Sequence, residues 1–402
     1  MVPDKTKDHA GPVMVCLDGS PDSDAAATLA LRLAKSEGLP VAAVHIYDAG
    51  IHVSRFRQME PGLPPQYQAE DGLKELRDSH GTLMSDGFQA LSHGYMERFL
   101  TLARQAGVAV QTDVEEGRNY VGLLKIAGRL QPQIVSMGAA GLGDLGDGNL
   151  GSTAQRLLRK LPCGVLVGRA GSPEGGPVLV GIDGSEHALA ALRKACTFSR
   201  FMNASLNLLA AYDPALHQRV FKTMADTMPP EAQAAVGLDK QEGLHESLID
   251  DGLGTLYQTF LDEASGRTAD AGIETLTHLV ADKGYPGIIS KAKEINASLI
   301  CLGRFGHNRE DESDIGATAE NVVRMASCNV LVAAPHLDEP SSTEDNEEMA
   351  WEADALERLN KVPRFVRKMA RRSIEAAARE EGAHSVTVKH VDMVSERFRG
   401  KK

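Results

Sequence analysis

Two rhythms alternate along the first 335 positions of this 402-residue chain. Short runs rich in Val, Ile and Leu at 13–17, 41–46, 108–112, 134–137 and 165–167 predict strands. The stretches at 22–37, 83–105, 120–130 and 152–160 carry apolar residues at helical spacing. Strand alternating with helix predicts a parallel sheet hidden on both faces, because parallel neighbours need crossover connections and helices supply them. The expected fold is α/β: a doubly wound, five-stranded, Rossmann-like unit.

The pattern then starts again. Val13-Met-Val-Cys-Leu-Asp18-Gly19-Ser20 returns as Val178-Leu-Val-Gly-Ile-Asp183-Gly184-Ser185, an interval of 183 − 18 = 165 residues. The same interval relates Tyr47 to Tyr212, Tyr120 to Tyr285, Gly138 to Gly303 and Gly151 to Gly316. A constant interval across whole elements means one domain copied end to end, with expected boundaries 12–170 and 177–335. In each copy a connection rich in Pro, Gly, Gln and Met, at 49–80 and 214–245, departs from the simplest pattern. Connections of that length are usually functional or mobile.

Past Pro335 the character changes. An acidic stretch at 336–349 predicts a solvated linker, and 350–402 predicts a small basic helical module. Arg364, Arg367, Lys368, Arg371 and Arg372 follow helical spacing and would form one cationic stripe, either a solvated face or a seat for an anionic partner.

Composition narrows the class. With 42% hydrophobic and 24% charged residues the chain reads as globular, and no apolar run is long enough to span a membrane. The polar first residues lack the apolar core of a secretion signal, so a cytoplasmic location is expected. Five cysteines, an odd count without zinc or redox spacing, read as small buried residues. A formal net charge of −12 argues against a nucleic-acid partner.

The strongest chemical signal is Gly138-Ala-Ala-Gly141, then nine residues, then Gly151-Ser152-Thr153 opening a helix. Glycines allow close backbone approach, and a helix N-terminus offers unsatisfied N–H groups and a positive dipole end, which together suit phosphate. Such a loop follows the fourth strand, beside the loop after the first, where an open α/β sheet has its ligand crevice. Asp18 ends the first strand, so its carboxylate can reach a ribose hydroxyl. The intervening loop has no basic residue but contains Asp144 and Asp147, which a divalent ion such as Mg could bridge to phosphates. The second copy keeps Asp183, Gly303, Gly306 and Gly316 but has Ala317 after the last glycine and Glu310, Asp311, Glu312 and Asp314 in its loop. That site is expected to be weak or empty, because the carboxylates repel a polyphosphate.

His52 and His80 recur as His217 and His245. Recurring imidazoles could hold a metal, or they could cap helices and hydrogen-bond where the long connection enters a helix. No nucleophile, base and orienting carboxylate recur together, so no catalytic residue is assigned and at most a slow ATPase is expected.

These residues resemble the universal stress protein family, whose nucleotide-binding members carry Gly-x2-Gly-x9-Gly-Ser/Thr after the fourth strand and an Asp after the first. The resemblance implies that Asp18 and Ile46 flank an adenosine while Gly138, Gly141, Gly151, Ser152 and Thr153 hold phosphates. It also implies that the final strands, 165–167 and 330–332, pair into an internal pseudo-dimer or a homo-oligomer. In the tail, Trp351, the run Val362-Pro363-Arg364-Phe365-Val366-Arg367 and Gly382 resemble the C-terminal module of the light-independent protochlorophyllide reductase subunit. The expectation is a cytoplasmic stress-response regulator that binds ATP or another adenine nucleotide in its first domain and uses the second for pairing. The alternatives are a nucleotide-free dimeric scaffold and an accessory protein of tetrapyrrole metabolism.

Overall fold

The computed structural model describes residues 11–143, 150–214, 216–238, 250–306, 315–335, 349–362 and 364–398. The first repeat runs β1 (Val13–Cys16), α1 (Pro21–Glu37), β2 (Val41–Tyr47), α2 (Ala49–Met59), α3 (Glu70–Ala106), β3 (Val110–Glu116), α4 (Asn119–Leu130), β4 (Ile134–Gly138), α5 (Ser152–Lys160) and β5 (Gly164–Gly168). The second runs β6 (Val178–Gly181), α6 (Glu186–Met202), β7 (Leu206–Tyr212), α7 (Leu216–Thr227), α8 (Pro230–Val236), α9 (Asp250–Asp270), β8 (Thr275–Ala281), α10 (Gly284–Glu294), β9 (Leu299–Gly303), α11 (Ala317–Met325) and β10 (Asn329–Ala333).

Within each repeat the five strands are parallel, and the order β3-β2-β1-β4-β5-β10-β9-β6-β7-β8 makes one ten-stranded sheet. The seam is antiparallel: Val165, Leu166 and Val167 pair with Val332, Leu331 and Val330. Alternation along these two strands sends Leu166 and Leu331 into a core that α1, α3, α6 and α9 cover. Val165, Val167, Val330 and Val332 enter the core beneath α4, α5, α10 and α11. Both cores therefore cross the seam, and the repeats share them.

The long connections are not irregular. In the first repeat, α2 fills much of the stretch and α3 begins at Glu70, well before the 83 expected from periodicity. Gly72, Gly81, Gly87 and Gly94 lie inside α3, and each costs about 0.5–1 kcal/mol relative to Ala, which hides the helix from propensity. Tertiary contacts outweigh that cost: the Arg77 guanidinium donates to both Glu60 oxygens at 2.7 Å and to Glu70 at 3.2 Å, and Leu73 is buried. The edge strand β3 is also displaced, starting at Val110 and ending at Glu116. It pairs only with β2, and its Asp113 and Glu115 carboxylates accept from Arg129 and Lys125 of α4.

The C-terminal module is not wholly helical. β11 (Ala350–Trp351) and β12 (Ser385–Val386) form a two-stranded parallel pair beside α12 (Ala353–Lys361), α13 (Arg364–Glu380) and α14 (Val388–Phe398), around a core that includes Ala355, Leu359, Ile374 and Ala378. The cationic stripe of α13 is partly engaged inside the module. Arg367 donates to the carbonyls of Asn360 and Val362 at the end of α12, and Arg371 donates to buried Glu375 at 2.9 Å and covers the Trp351 ring. The side chains of Arg364, Lys368 and Arg372 lie outside the described residues. Among the described residues no helix is long and apolar enough to cross a membrane.

Shared cores predict shared unfolding. Leu331→Ala at the seam should cost about 2–5 kcal/mol and move one cooperative transition that carries both repeats. Urea denaturation followed by far-UV dichroism checks this; two separated transitions, only one of them shifted, would contradict it.

Candidate functional site

At the C-terminal ends of β1, β2 and β4, a cavity of about 1080 Å³ opens. Its walls include Asp18, Ile46, Gly138, Gly141, Gly151, Ser152 and Thr153, so the structure brings together all seven residues singled out for the first repeat.

The geometry is set where β4 runs onto the first turn of α1. A Cβ on Gly138 would stand 2.7 Å from the Ser23 nitrogen, a separation only glycine tolerates. Ser20 caps α1 by accepting from the Ser23 N–H at 3.1 Å, and its hydroxyl donates to the Ala140 carbonyl at 3.0 Å. Asp22 accepts from the amides of Ala140 at 3.1 Å and Ala170 at 2.8 Å. The Gly138–Gly141 turn is thus tied to α1 and cannot present all its amides, contrary to the sequence expectation. The Ala139 amide is engaged too, on the Gly168 carbonyl at 2.9 Å.

Donors remain at two places. Among the described residues nothing accepts from the Gly141 amide, and α5, whose cap position is Gly151, has no side-chain cap, so the Ser152 and Thr153 amides beside the cavity have no described partner either. Gly141 and Asp18 meet closely: a Cβ at 141 would lie 3.1 Å from Asp18 Oδ2, while Oδ1 accepts from the Ser20 amide at 2.9 Å. On the adjacent wall, the Leu17 amide donates to the Val44 carbonyl at 2.8 Å, the last rung described between β1 and β2. Because Tyr47 turns its carbonyl to Gly117 on the β3 side, Ile46 turns its N–H and C=O the other way, toward the cavity. A donor and an acceptor from one residue thus stand side by side.

Among the lining residues that the sequence pattern does not mark, four bear on the chemistry of the cavity. Arg118, just before α4, and Arg156, one turn into α5, bring the guanidinium groups that the glycine loop lacks, and Arg156 lies over the Tyr120 ring at 4.6 Å. Arg156 stands at i+4 from Ser152, on the same helix face, and Arg118 sits in the loop after β3; both placements follow from helix period and the strand-end rule. His45 and Tyr95 complete the set, ring against ring at 5.3 Å and 82°. Burial pushes the His45 imidazole below its ordinary 6.5, and its Nδ1 contacts the Leu17 carbonyl, which fixes the proton there. At the cavity floor, burial first and the Asp18 carboxylate second hold the Cys16 thiol protonated.

The second repeat reproduces the scaffold. Asp183 accepts from the Ser185 amide at 3.0 Å, the Gly316 amide donates to Arg304 as that of Gly151 does to Ala139, and a Cβ on Gly303 would strike α6 at 2.7 Å. The lining differs. Phe305 is buried against His187 at 5.1 Å, Ala210 and Ala211 stand for His45 and Ile46, and Asn321 for Arg156. Glu310, Asp311, Glu312 and Asp314, like Asp144 and Asp147 of the first loop, lie outside the described residues.

The histidines of the long connection do not converge. His52 packs on Phe88 at 5.1 Å and His80 on Phe56 at 4.7 Å, while His245 and the His217 side chain lie outside the described residues. Among the described residues no three His, Cys, Asp or Glu side chains are grouped to hold a metal ion.

Fold and site define a class: a tandem, doubly wound α/β protein with a crevice at the carboxyl ends of the strands of its first half. The family model for the universal stress protein family matches residues 10–169 and 176–334, so the chain belongs to that family. Residues 351–394 match the model described as the proto-chlorophyllide reductase 57 kD subunit. A universal stress protein of Mycobacterium tuberculosis (strain H37Rv) is 26% identical over 206 residues, 50% of this chain and 63% of that one. The chain thus matches a little under two thirds of that relative's length. A universal stress protein of Archaeoglobus fulgidus superposes with a TM-score of 0.50 at 16% identity, covering 81% of this chain and 98% of its own. A shorter protein of that family and organism, in complex with dAMP, covers 40% of this chain and 98% of its own at 19% identity and a TM-score of 0.26.

The buried imidazole has a measurable consequence. A folded-state pKa below the unfolded 6.5 means that unfolding takes up a proton in acid, so the stability associated with neutral His45 is complete above 6.5 and is lost as pH falls through the lowered value. His45→Asn keeps a donor for Leu17 and does not titrate. Urea midpoints from neutral pH down to about 5 should fall less steeply for the variant; parallel curves would contradict the assignment.

Proposed function

We propose that the first repeat binds an adenine nucleotide, ATP-like in carrying several phosphates, and that the second repeat has lost such a site and serves pairing. The observation that carries this reading is the meeting, in one cavity, of uncapped α5 amides with two guanidinium groups. Anions bind where unsatisfied N–H groups, a positive helix end and cations coincide. Asp18 Oδ2 suits a ribose hydroxyl. The N–H and C=O of Ile46 complement the adenine edge, where a ring-nitrogen acceptor neighbours an amino donor. Arg118 and Arg156 supply the neutralisation absent from the glycine loop. In this reading the protein is a stress-response regulator whose nucleotide state a partner senses.

Equilibrium dialysis of labelled ATP against the full chain tests the reading. Gly151→Asp puts a preferred helix cap where phosphates would sit and should abolish binding. Arg156→Ala changes an exposed side chain and should weaken binding about tenfold, ~1.4 kcal/mol. Wild-type protein that retains no nucleotide would instead favour the scaffold reading, in which the glycines serve packing alone.

A further inference from the structure

One cavity here offers two chemistries. Its volume, about 1080 Å³, stands at the top of the range of roughly 300–1,000 Å³ for pockets that enclose one drug-sized ligand. Every group assigned above to phosphate lies on the side of β4, α4 and α5. The facing wall comes from the end of β2 and from α2 and α3, and presents Tyr47, Ile51, His52, Phe88, Leu91 and Tyr95.

That wall is largely ring and hydrocarbon. Tyr47 and Phe88 stack at 6.1 Å with 12° between planes, and His52 leans on the same Phe88 at 5.1 Å. Ile51 and Leu91 are 43% and 50% exposed, so much of their apolar surface meets water inside a concavity. A ligand covering these two side chains would take that apolar surface out of water, which favours binding. The second repeat is filled differently at one position of this wall. Tyr257 stands there where the first repeat has Ser92, and its ring packs on Tyr212 at 5.8 Å and Phe260 at 5.6 Å.

We propose that the α2–α3 wall is a second compartment, beside the nucleotide, that binds a small apolar group, held by the stacked rings and by cover over Ile51 and Leu91. The proposal rests on the nucleotide reading for what fills the other half of the cavity. The apolar group is either a separate small molecule or a substituent carried on the nucleotide, and the two differ in what accompanies them.

Fluorescence titration of the full chain with 1-anilinonaphthalene-8-sulfonate, with and without saturating ATP, reads the compartment. The wild type should bind the dye saturably and keep it bound with ATP present. Leu91→Asp should weaken dye binding about tenfold or more, since a carboxylate would enter the apolar wall. Leu83→Asp, on the same helix at a 64% exposed position outside the cavity, should leave it unchanged. In parallel, dialysis compares ATP with N6-benzyl-ATP. Tighter binding of the benzyl analogue, lost in Leu91→Asp, identifies a substituent on the nucleotide; a response confined to the dye identifies a separate molecule. Dye binding indifferent to Leu91→Asp, or displaced in full by ATP, overturns the compartment. If ATP fails to bind while the dye still depends on Leu91, the nucleotide reading falls and the compartment stands.

Discussion

The site in the first repeat depends on how closely β4 approaches α1. With 2.7 Å from a notional Gly138 Cβ to the Ser23 nitrogen, the strand end and the helix start are in backbone contact. From that contact Asp22 reaches the amides of both Ala140 and Ala170, and the Ser20 hydroxyl reaches the Ala140 carbonyl. The turn is held from its concave side and carries Gly141 up to Asp18. The amides consumed in holding the turn are not open to a ligand, and the start of α5 carries no side-chain cap. One steric constraint therefore divides the glycine motif into a half tied to α1 and a half that is left uncapped.

The duplication tests that division within the molecule. Gly303, Gly306 and Gly316 keep their spacing in a repeat whose lining has diverged, and each still meets the contact its counterpart meets: Gly303 on α6, Gly306 on Asp183 at 2.8 Å, Gly316 on the Arg304 carbonyl at 3.1 Å. Glycine spacing by itself records packing. The residues that differ, Phe305 for Ala140, Ala211 for Ile46, Ala317 for Ser152 and Asn321 for Arg156, are the counterparts of residues that line the first repeat's cavity.

Much of this was legible from the chain because it rests on local chemistry. Alternating periods placed β1, β2, β4 and β5 to within one residue at each end, and α5 came out at its observed limits because Gly151 before it and Pro162 after it break the pattern. The start of α3 was hidden by four glycines, which propensity counts as breakers although each faces open space. Its first half is tied to Glu60 by Arg77 across 17 positions, a pairing no window along the sequence can see, and its second half buries Met96, Phe99 and Ala103. Arg118 and Arg156 are hidden for a related reason: they lie outside the glycine loop in sequence, whereas the sheet gathers the ends of β3 and β4 and the start of α5 around one opening. The tail errs in the opposite sense, since helical spacing made a cationic stripe of residues of which Arg367 and Arg371 bind carbonyls and Glu375 within the module.

The two repeats are joined by more than strand pairing. Arg304, in the second glycine turn, crosses the seam and donates to the Arg159 carbonyl in the last turn of α5 at 2.8 Å, while the Arg159 guanidinium meets Glu320 of α11. A cation at a helix C-terminus is favourable, and here the second repeat supplies it. The helix whose first turn lines the cavity of the first repeat is thus anchored at its last turn by the residue that stands in place of Ala139. The repeat position that holds a small buried residue, Ala139, in the first half thus holds in the second a cation whose hydrogen bond joins the two halves, so the glycine turn of the second repeat serves the seam as well as its own packing.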